Sequence, residues 1–139
     1  SGMKILFFFL SFIITVPVMQ AQDSWKITLN KKTVLSTSNP DETLNTKKIK
    51  SADWKKDGFL EISYIETPPG QWLHSIQLSD ETGNLLLTQD SVYAKIPVAT
   101  IRKLMAGKKQ LKIYMVVSPP NPEMMAPSRI HHLCTLKLP

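Results

Sequence analysis

The sequence is poor in cysteine, glycine and aromatic residues: it has one Cys and five Gly, and aromatic residues make up 8% of the chain. A single cysteine cannot close an internal disulfide, so a disulfide-stapled scaffold is excluded. The chain also lacks a Gly-rich phosphate loop, a Gly-x-Ser-x-Gly elbow, a His-Glu-x-x-His helix and a Cys-x-x-Cys pair. No common enzyme class is indicated, and we expect a protein without enzymatic activity.

Long apolar runs are missing except at the N-terminus. Lys4 precedes the apolar segment 5–19, whose fifteen residues include Ser, Thr and Pro. That is short compared with the ~20 apolar residues that a membrane-spanning helix needs. A basic residue, an apolar stretch and a small residue at Ala21 are typical of a signal peptide. We therefore predict a signal peptide over 3–21, cleaved within a residue or two of Ala21, with residues 1–2 as a scar of tag removal. The protein is then exported, either to a periplasm or out of the cell.

The remaining residues 22–139 match one domain in length. Omitting Lys4, this stretch carries 16 basic and 11 acidic residues, a net charge of +5. The basic residues cluster at 47–56 and 102–112. Within these two segments, Trp54 is the only aromatic residue that could stack on a base. This pattern does not favour nucleic-acid binding, which needs a stronger charge or interleaved aromatics. Solvated faces, edge protection or contact with an anionic envelope surface or glycan explain the lysines.

Short alternating segments separated by turn residues predict an all-β protein. A brief amphipathic helix is predicted at 97–106, where Pro97 begins it and Gly107 ends it. We expect this helix to carry the chain from one sheet to the other. The segment 43–50 is ambiguous, and one interpretation of it is an edge strand protected by its lysines. The predicted fold is an immunoglobulin-like antiparallel β-sandwich of seven or eight strands, at 25–29, 33–37, 59–66, 72–79, 85–88, 91–96, 110–118 and 129–138.

The last thirty residues predict a long antiparallel hairpin. Because side chains alternate along a strand, the first arm directs Leu111, Ile113, Met115 and Val117 to one face. The same rule directs a second set to the core from the other arm: Ile130, His132, Cys134, Leu136 and Leu138. Symmetric pairing about the loop centre sets Met115 opposite His132, with Cys134 one pleat further along.

Two interpretations of that hairpin remain open. Free cysteine and methionine are common core residues, which favours simple packing. Thioether, imidazole and thiolate are also the ligands that copper(I) prefers. The alternative function is therefore a periplasmic copper-handling protein, using Met115, His132 and Cys134 together with His131.

The loop 118–128 between the two arms is the second candidate site. Pro122 and Pro127 belong to a set of four prolines that stiffen it, and Met124 and Met125 supply adaptable apolar surface at its tip. Loops at one end of a β-sandwich commonly carry binding. We expect these four residues to contact an unknown protein or cell-envelope component; the alternative is that Met124 and Met125 fold back over the open end of the core.

The ending Arg129-Ile-His-His-Leu-Cys-Thr-Leu136 follows a proline-rich loop and a Leu-Lys-Ile-Tyr strand. It resembles the ending of small exported bacterial proteins of unassigned function. The resemblance implies a periplasmic or secreted setting in a bacterium with two membranes. It implies no activity and no ligand, and the first hypothesis remains an exported, non-enzymatic binding module.

Overall fold

The computed structural model describes residues 22–139, so the predicted signal peptide and tag scar lie outside the described residues. The described chain is mostly strand, and the prediction of an all-β fold is confirmed. It contains nine strands, somewhat more than predicted, and two short helices rather than one. In chain order they are β1 (Ser24–Leu29), β2 (Lys32–Thr37), β3 (Thr46–Lys48), α1 (Ser51–Lys55), β4 (Phe59–Ile65), β5 (Leu73–Ser79), β6 (Leu85–Gln89), β7 (Tyr93–Pro97), α2 (Val98–Leu104), β8 (Gln110–Ser118) and β9 (Arg129–Lys137).

The strands form two sheets packed as a sandwich. The first has the order β2-β1-β4-β7, and the second has the order β3-β9-β8-β5-β6. Every pair is antiparallel except β3 with β9, which is parallel. The edge strand predicted within 43–50 is β3, and its lysines occupy an outer edge of the second sheet. Such residues discourage pairing with another chain.

The helix α2 connects β7 of the first sheet to β8 of the second, as predicted. Pro97 ends β7 instead of beginning the helix. Val98 and Ile101 are fully buried, and Met105 at the C-cap is almost so. A helix of seven residues is too short to be stable alone, so this apolar stripe holds it on the sheets.

Alternation within the strands builds the core between the sheets. In β8 the burial alternates along the whole strand, with Leu111, Ile113, Met115 and Val117 inside. Ile27 of β1 and Ile62 of β4, which pair across the first sheet, are completely buried. Burying each such side chain stabilises the fold by about 1.5–3 kcal/mol before the entropy of ordering is subtracted.

A bulge in β9 changes the predicted register of the terminal hairpin. Ile113 pairs with Cys134 as expected, but Tyr114 pairs with His132 and Met115 with His131. Leu133 is the extra residue, and both Leu133 and Cys134 are buried. The predicted pairing of Met115 with His132 is therefore wrong. Between the loop and the bulge, the side chains of β9 therefore point to the faces opposite to those predicted. His132 lies on the outer face of the sheet, and Ile130 is exposed.

One end of the sandwich gathers the start of β1, the end of β4, the start of β5 and the hairpin loop between β8 and β9. We call it the cleft end and define it as residues 22–25, 64–74, 90–93 and 117–131. The opposite end holds the two-residue turn at Asn30 and Lys31, where both φ angles are positive, as tight hairpins with right-handed strand twist require.

Candidate functional site: the cleft end of the sandwich

The structure brings together only part of the alternative copper site: Met115 and His131 are cross-strand partners on one face of the sheet, and His132 does not join them. Met115 and Cys134 are completely buried in the core. His132 lies on the opposite face of the same sheet, since it pairs with Tyr114, whose neighbours Ile113 and Met115 point inward. His131 lies at the cleft end. The bulge at Leu133 is the physical reason, because it places the imidazole of His132 and the thiol of Cys134 on different faces of one strand.

The thiol of Cys134 has core surroundings. Burial raises its pKa to about 12. The thiolate is the form that binds metals and attacks electrophiles, and an apolar site disfavours it. Within residues 22–139, no group of three or more His, Cys, Asp and Glu residues is arranged to hold a metal ion.

The side chain of His132 is enclosed on the outer face, with about a tenth of its surface exposed. Its Nε2 lies 2.7 Å from Oγ1 of Thr135, and the Tyr114 ring meets its ring edge-on at 5.6 Å. Burial lowers the pKa of His132, with the carboxylate of Glu42 opposing and Lys112 reinforcing the shift. Glu42 stands 3.9 Å from the same Nε2.

At the cleft end, the first polar pair joins β1 to β4. The phenol of Tyr64 donates a hydrogen bond to the Asp23 carboxylate, whose other oxygen accepts the backbone N–H of Thr67 at 3.1 Å. Burial, followed by this hydrogen bond, raises the pKa of Tyr64. Trp25 stacks on the Tyr64 ring with centroids 6.1 Å apart and planes 12° apart. The pair is rigid because three elements hold it.

A second pair lies beside the first. His74 on β5 forms a hydrogen-bonded pair with Glu66, and the His74 ring is 6.1 Å from the Tyr64 ring. Arg129 at the start of β9 places its guanidinium 4.9 Å from the centre of the Trp72 ring. This cation–π contact closes one side of the cleft end.

Two open clefts meet between these pairs. One has a volume of about 550 Å³ and lies between Trp25, Tyr64, Ile130 and His131. The other, of about 370 Å³, lies between Glu66, Trp72, Arg129 and His131. Both are also lined by Asp23, so Asp23 and His131 form the ridge that they share. The combined surface offers aromatic faces, carboxylates and an imidazole to a ligand.

The strand β9 is only partly paired along the larger cleft. β3 pairs with Thr135–Lys137 alone. Nearer to the loop, the carbonyl of Leu133 accepts a hydrogen bond from Trp25 Nε1 at 2.9 Å. The stretch from Arg129 to His132 has no neighbouring strand on that side among the described residues. It therefore leaves backbone groups at the wall of the cleft.

The predicted loop residues lie at this same end. Met125 is almost completely exposed (98%), and Met124, Pro122 and Pro127 are exposed too. The methionines do not fold back over the core. Near them in the fold are further exposed apolar side chains at strand ends: Ile130 (70%), Ile65 (60%) and Leu73 (59%).

Sequence reasoning missed the cluster of Asp23, Tyr64, Glu66 and His74. Tyr64 and Asp23 are 41 residues apart, and nothing in either strand marks them as partners. His74 lies at the rim of the core, since it pairs with the buried Val117 and a tenth of its side chain is exposed. One signal was available in the sequence: acidic residues stand directly before or after strands whose ends come together in a sandwich.

No helix in the described part of the chain is long and apolar enough to cross a membrane. Comparison with models of known protein families, with curated proteins and with solved structures finds no match.

Proposed function

We propose that this chain is an exported, non-enzymatic β-sandwich that binds a protein partner in the cell envelope through the cleft end. The observation that carries the proposal is the concentration of exposed apolar side chains there. Of the eleven large apolar residues that are exposed in residues 22–139, seven belong to the cleft end: Ile65, Leu73, Val92, Tyr93, Met124, Met125 and Ile130. Leu73 and Ile130 lie on the outer face of the second sheet, at the end that carries the Met124–Met125 loop, whereas Ile65 and Tyr93 lie on the outer face of the first sheet. Exposed apolar groups rimmed by polar ones are typical of interaction sites.

The chemistry of the surroundings supports a protein partner. Methionine side chains adapt to irregular apolar surfaces, and Tyr, Trp and Arg are enriched in protein interfaces. Trp72 and Arg129 are already held together, so little entropy is lost when a partner covers them. The Asp23–Tyr64 and Glu66–His74 pairs keep the strand ends in fixed positions below the loop.

The proposal is tested with a double variant, Met124→Asp with Met125→Asp, used as bait against envelope extract. We expect the partners retained by the wild-type chain to be lost, because two carboxylates would have to be desolvated in the interface. The matched control is Leu85→Asp with Leu104→Asp, which adds the same charge at exposed apolar positions outside the cleft end.

Retention by the control and loss by the Met124/Met125 variant would support the proposed site. Equal retention by both variants would remove the loop from the interface. If the double variant Met124→Leu with Met125→Leu retains the same partner as the wild-type chain, the site requires apolar side chains and not sulfur.

A further inference from the structure

The side of the molecule away from the cleft end carries an unusual concentration of lysine. β2 is the edge of the first sheet and β3 the edge of the second, and α1 closes the space beside them. The side-chain amide of Asn30 donates to the carbonyl of Asp53 at 3.2 Å, which fixes the β1–β2 turn against α1. We call the resulting surface the lysine face; its members are Lys31, Lys32, Lys47, Lys48, Lys50, Lys55 and Lys56.

Few carboxylates compensate this charge. Lys32 forms a 3.5 Å ion pair with Asp53, and Asp57 is paired with Arg102 at 2.6 Å. No other lysine of the face lies within ion-pair distance of a carboxylate in residues 22–139, and six of the seven are exposed. A shallow groove of about 260 Å³ runs between Lys32, Lys47, Lys48 and Lys50.

Edge protection explains only part of this set. Lys47 and Lys48 lie on β3, where charge discourages strand pairing. Lys31 lies in a tight turn, and Lys50, Lys55 and Lys56 lie in or beside α1, where no strand edge needs protection. Four of these lysines line one groove. Like charges on one surface repel one another, and an opposing anionic surface relieves that repulsion.

We propose that the lysine face docks on an anionic phospholipid surface. All seven residues are lysine, and the arginine beside α1, Arg102, is already bound to the carbonyls of Trp54 and Lys56 and to the carboxylate of Asp57. The planar guanidinium group of arginine suits the bidentate recognition of a single phosphate, whereas the ammonium group of lysine acts as a point charge. Ammonium groups spread over a turn, an edge strand and a helix match a surface that bears many phosphates. Polybasic surfaces of this kind bind anionic membranes, with a contribution from each lysine.

The charge of the rest of the molecule is consistent with this orientation. The cleft end carries four acidic residues and one basic residue, and the other described residues carry 15 basic and seven acidic ones. An anionic membrane therefore attracts the lysine face and repels the cleft end. The cleft end then points away from the lipid. This inference does not depend on the partner proposed for the cleft end, and either one can fail without the other.

The test is vesicle co-sedimentation of residues 22–139, which contain every strand and the whole core described above. Using this stretch excludes the apolar segment 5–19 from lipid binding. Vesicles of phosphatidylglycerol with phosphatidylcholine are compared with phosphatidylcholine alone. The test variant is Lys48→Gln, Lys50→Gln, Lys55→Gln, and the matched control is Lys26→Gln, Lys103→Gln, Lys109→Gln. All six positions are exposed, and both variants lose three charges.

We expect the wild-type protein to bind only the anionic vesicles, with affinity falling as salt is added. The test variant should bind about 100-fold more weakly, as each lysine near the surface contributes about 1 kcal/mol. The control should change by about threefold at most, because its three lysines lie outside the lysine face and contribute only through the net charge, which salt screens. Cooperative thermal unfolding checks that every variant is folded.

Three results would overturn the inference. Equal losses in the two variants would mean that net charge alone drives binding. Absence of binding to anionic vesicles, or equal binding to neutral ones, would exclude a lipid docking surface. Binding to soluble heparin without binding to vesicles would assign the lysine face to an anionic glycan instead.

Discussion

At the scale of single residues, burial decides which polar groups are chemically available. Cys134 is completely buried beside the bulge of β9, and its thiol has a pKa of about 12. At neutral pH it is therefore present as the thiol and packs as a small apolar group. Asp80 is also enclosed, yet it is ionised because hydrogen bonds surround it. The two residues differ in their partners and not in their burial.

We expect Cys134→Ser to lower the free energy of unfolding by about 1–3 kcal/mol, because a hydroxyl would enter an apolar site without a partner. Urea unfolding measures the change, and Cys134→Ala separates the cost of the hydroxyl from the lost volume. Native Cys134 should react with a thiol reagent only after unfolding. Rapid labelling of the folded protein would contradict the buried position.

Asp80 predicts a dependence of stability on pH. Its carboxylate accepts bonds from the Thr82 hydroxyl, the backbone N–H groups of Thr82 and Asn84, and the Asn84 amide, and it pairs with Lys108. The Thr82 hydroxyl is the first cause that lowers its pKa from the ordinary value of 3.8. The stabilisation is present above that unfolded-state pKa and is lost as the pH falls through the lower folded-state pKa.

Accordingly, Asp80→Asn should be less stable than the wild-type protein at neutral pH, and the difference should shrink as the pH falls below about 4. Chemical denaturation across that range measures it. Glu123→Gln is the control, because the carboxylate of the exposed Glu123 has no hydrogen-bond or ion-pair partner among the described residues. If the stability difference between the wild-type protein and Asp80→Asn stays constant from neutral to acid pH, the Asp80 carboxylate is not the cause of that difference.

At the scale of elements, the bulge of β9 determines which face each residue of the terminal hairpin occupies. The extra residue Leu133 keeps its side chain in the core, and its carbonyl accepts the indole N–H of Trp25 from the other sheet. This bond crosses 108 residues of sequence and ties the two sheets together at the edge of the larger cleft. The bulge therefore depends on a donor that local sequence does not supply.

Replacing Trp25 with Phe tests this dependence. The aromatic stack on Tyr64 is retained, but the Leu133 carbonyl loses its donor in a buried site, which costs about 1–3 kcal/mol. Thermal or urea unfolding measures the loss. Trp72→Phe is the control, because the indole N–H of Trp72 donates to no described residue and the side chain is only half-buried. Equal effects of the two changes would show that the Trp25–Leu133 bond contributes little.

Local pattern predicted most of the elements. Alternation gave the strands, Pro97 and Gly107 bracketed the helix, and the inward faces of β8 and of Cys134 and Leu136 were correct. The register between the loop and Leu133 was not predictable, because the bulge adds one residue and inverts the side chains of β9 that precede it. The Asp23–Tyr64 pair was not predictable either, since it needs the pairing of β1 with β4, and the Glu66–His74 pair forms only when strand ends from both sheets meet.

At the scale of the whole molecule, charge and apolar surface are separated. The lysine face lies along the sides of β2, β3 and α1, and the exposed apolar residues lie mostly at the cleft end. A protein held by one surface can therefore present the other. The partner proposed for the cleft end would meet a surface that is apolar at the loop and acidic around the clefts.

The most direct measurement is photo-crosslinking in cells that make the full chain, with a photoreactive amino acid in place of Met125 or, as the control, Leu104. Both positions are exposed, but only Met125 belongs to the cleft end. We predict a discrete crosslinked protein from position 125, lost when Leu73→Asp and Ile130→Asp are added, and none from position 104. The same products from both positions, or products from position 104 alone, would contradict a binding site at the cleft end.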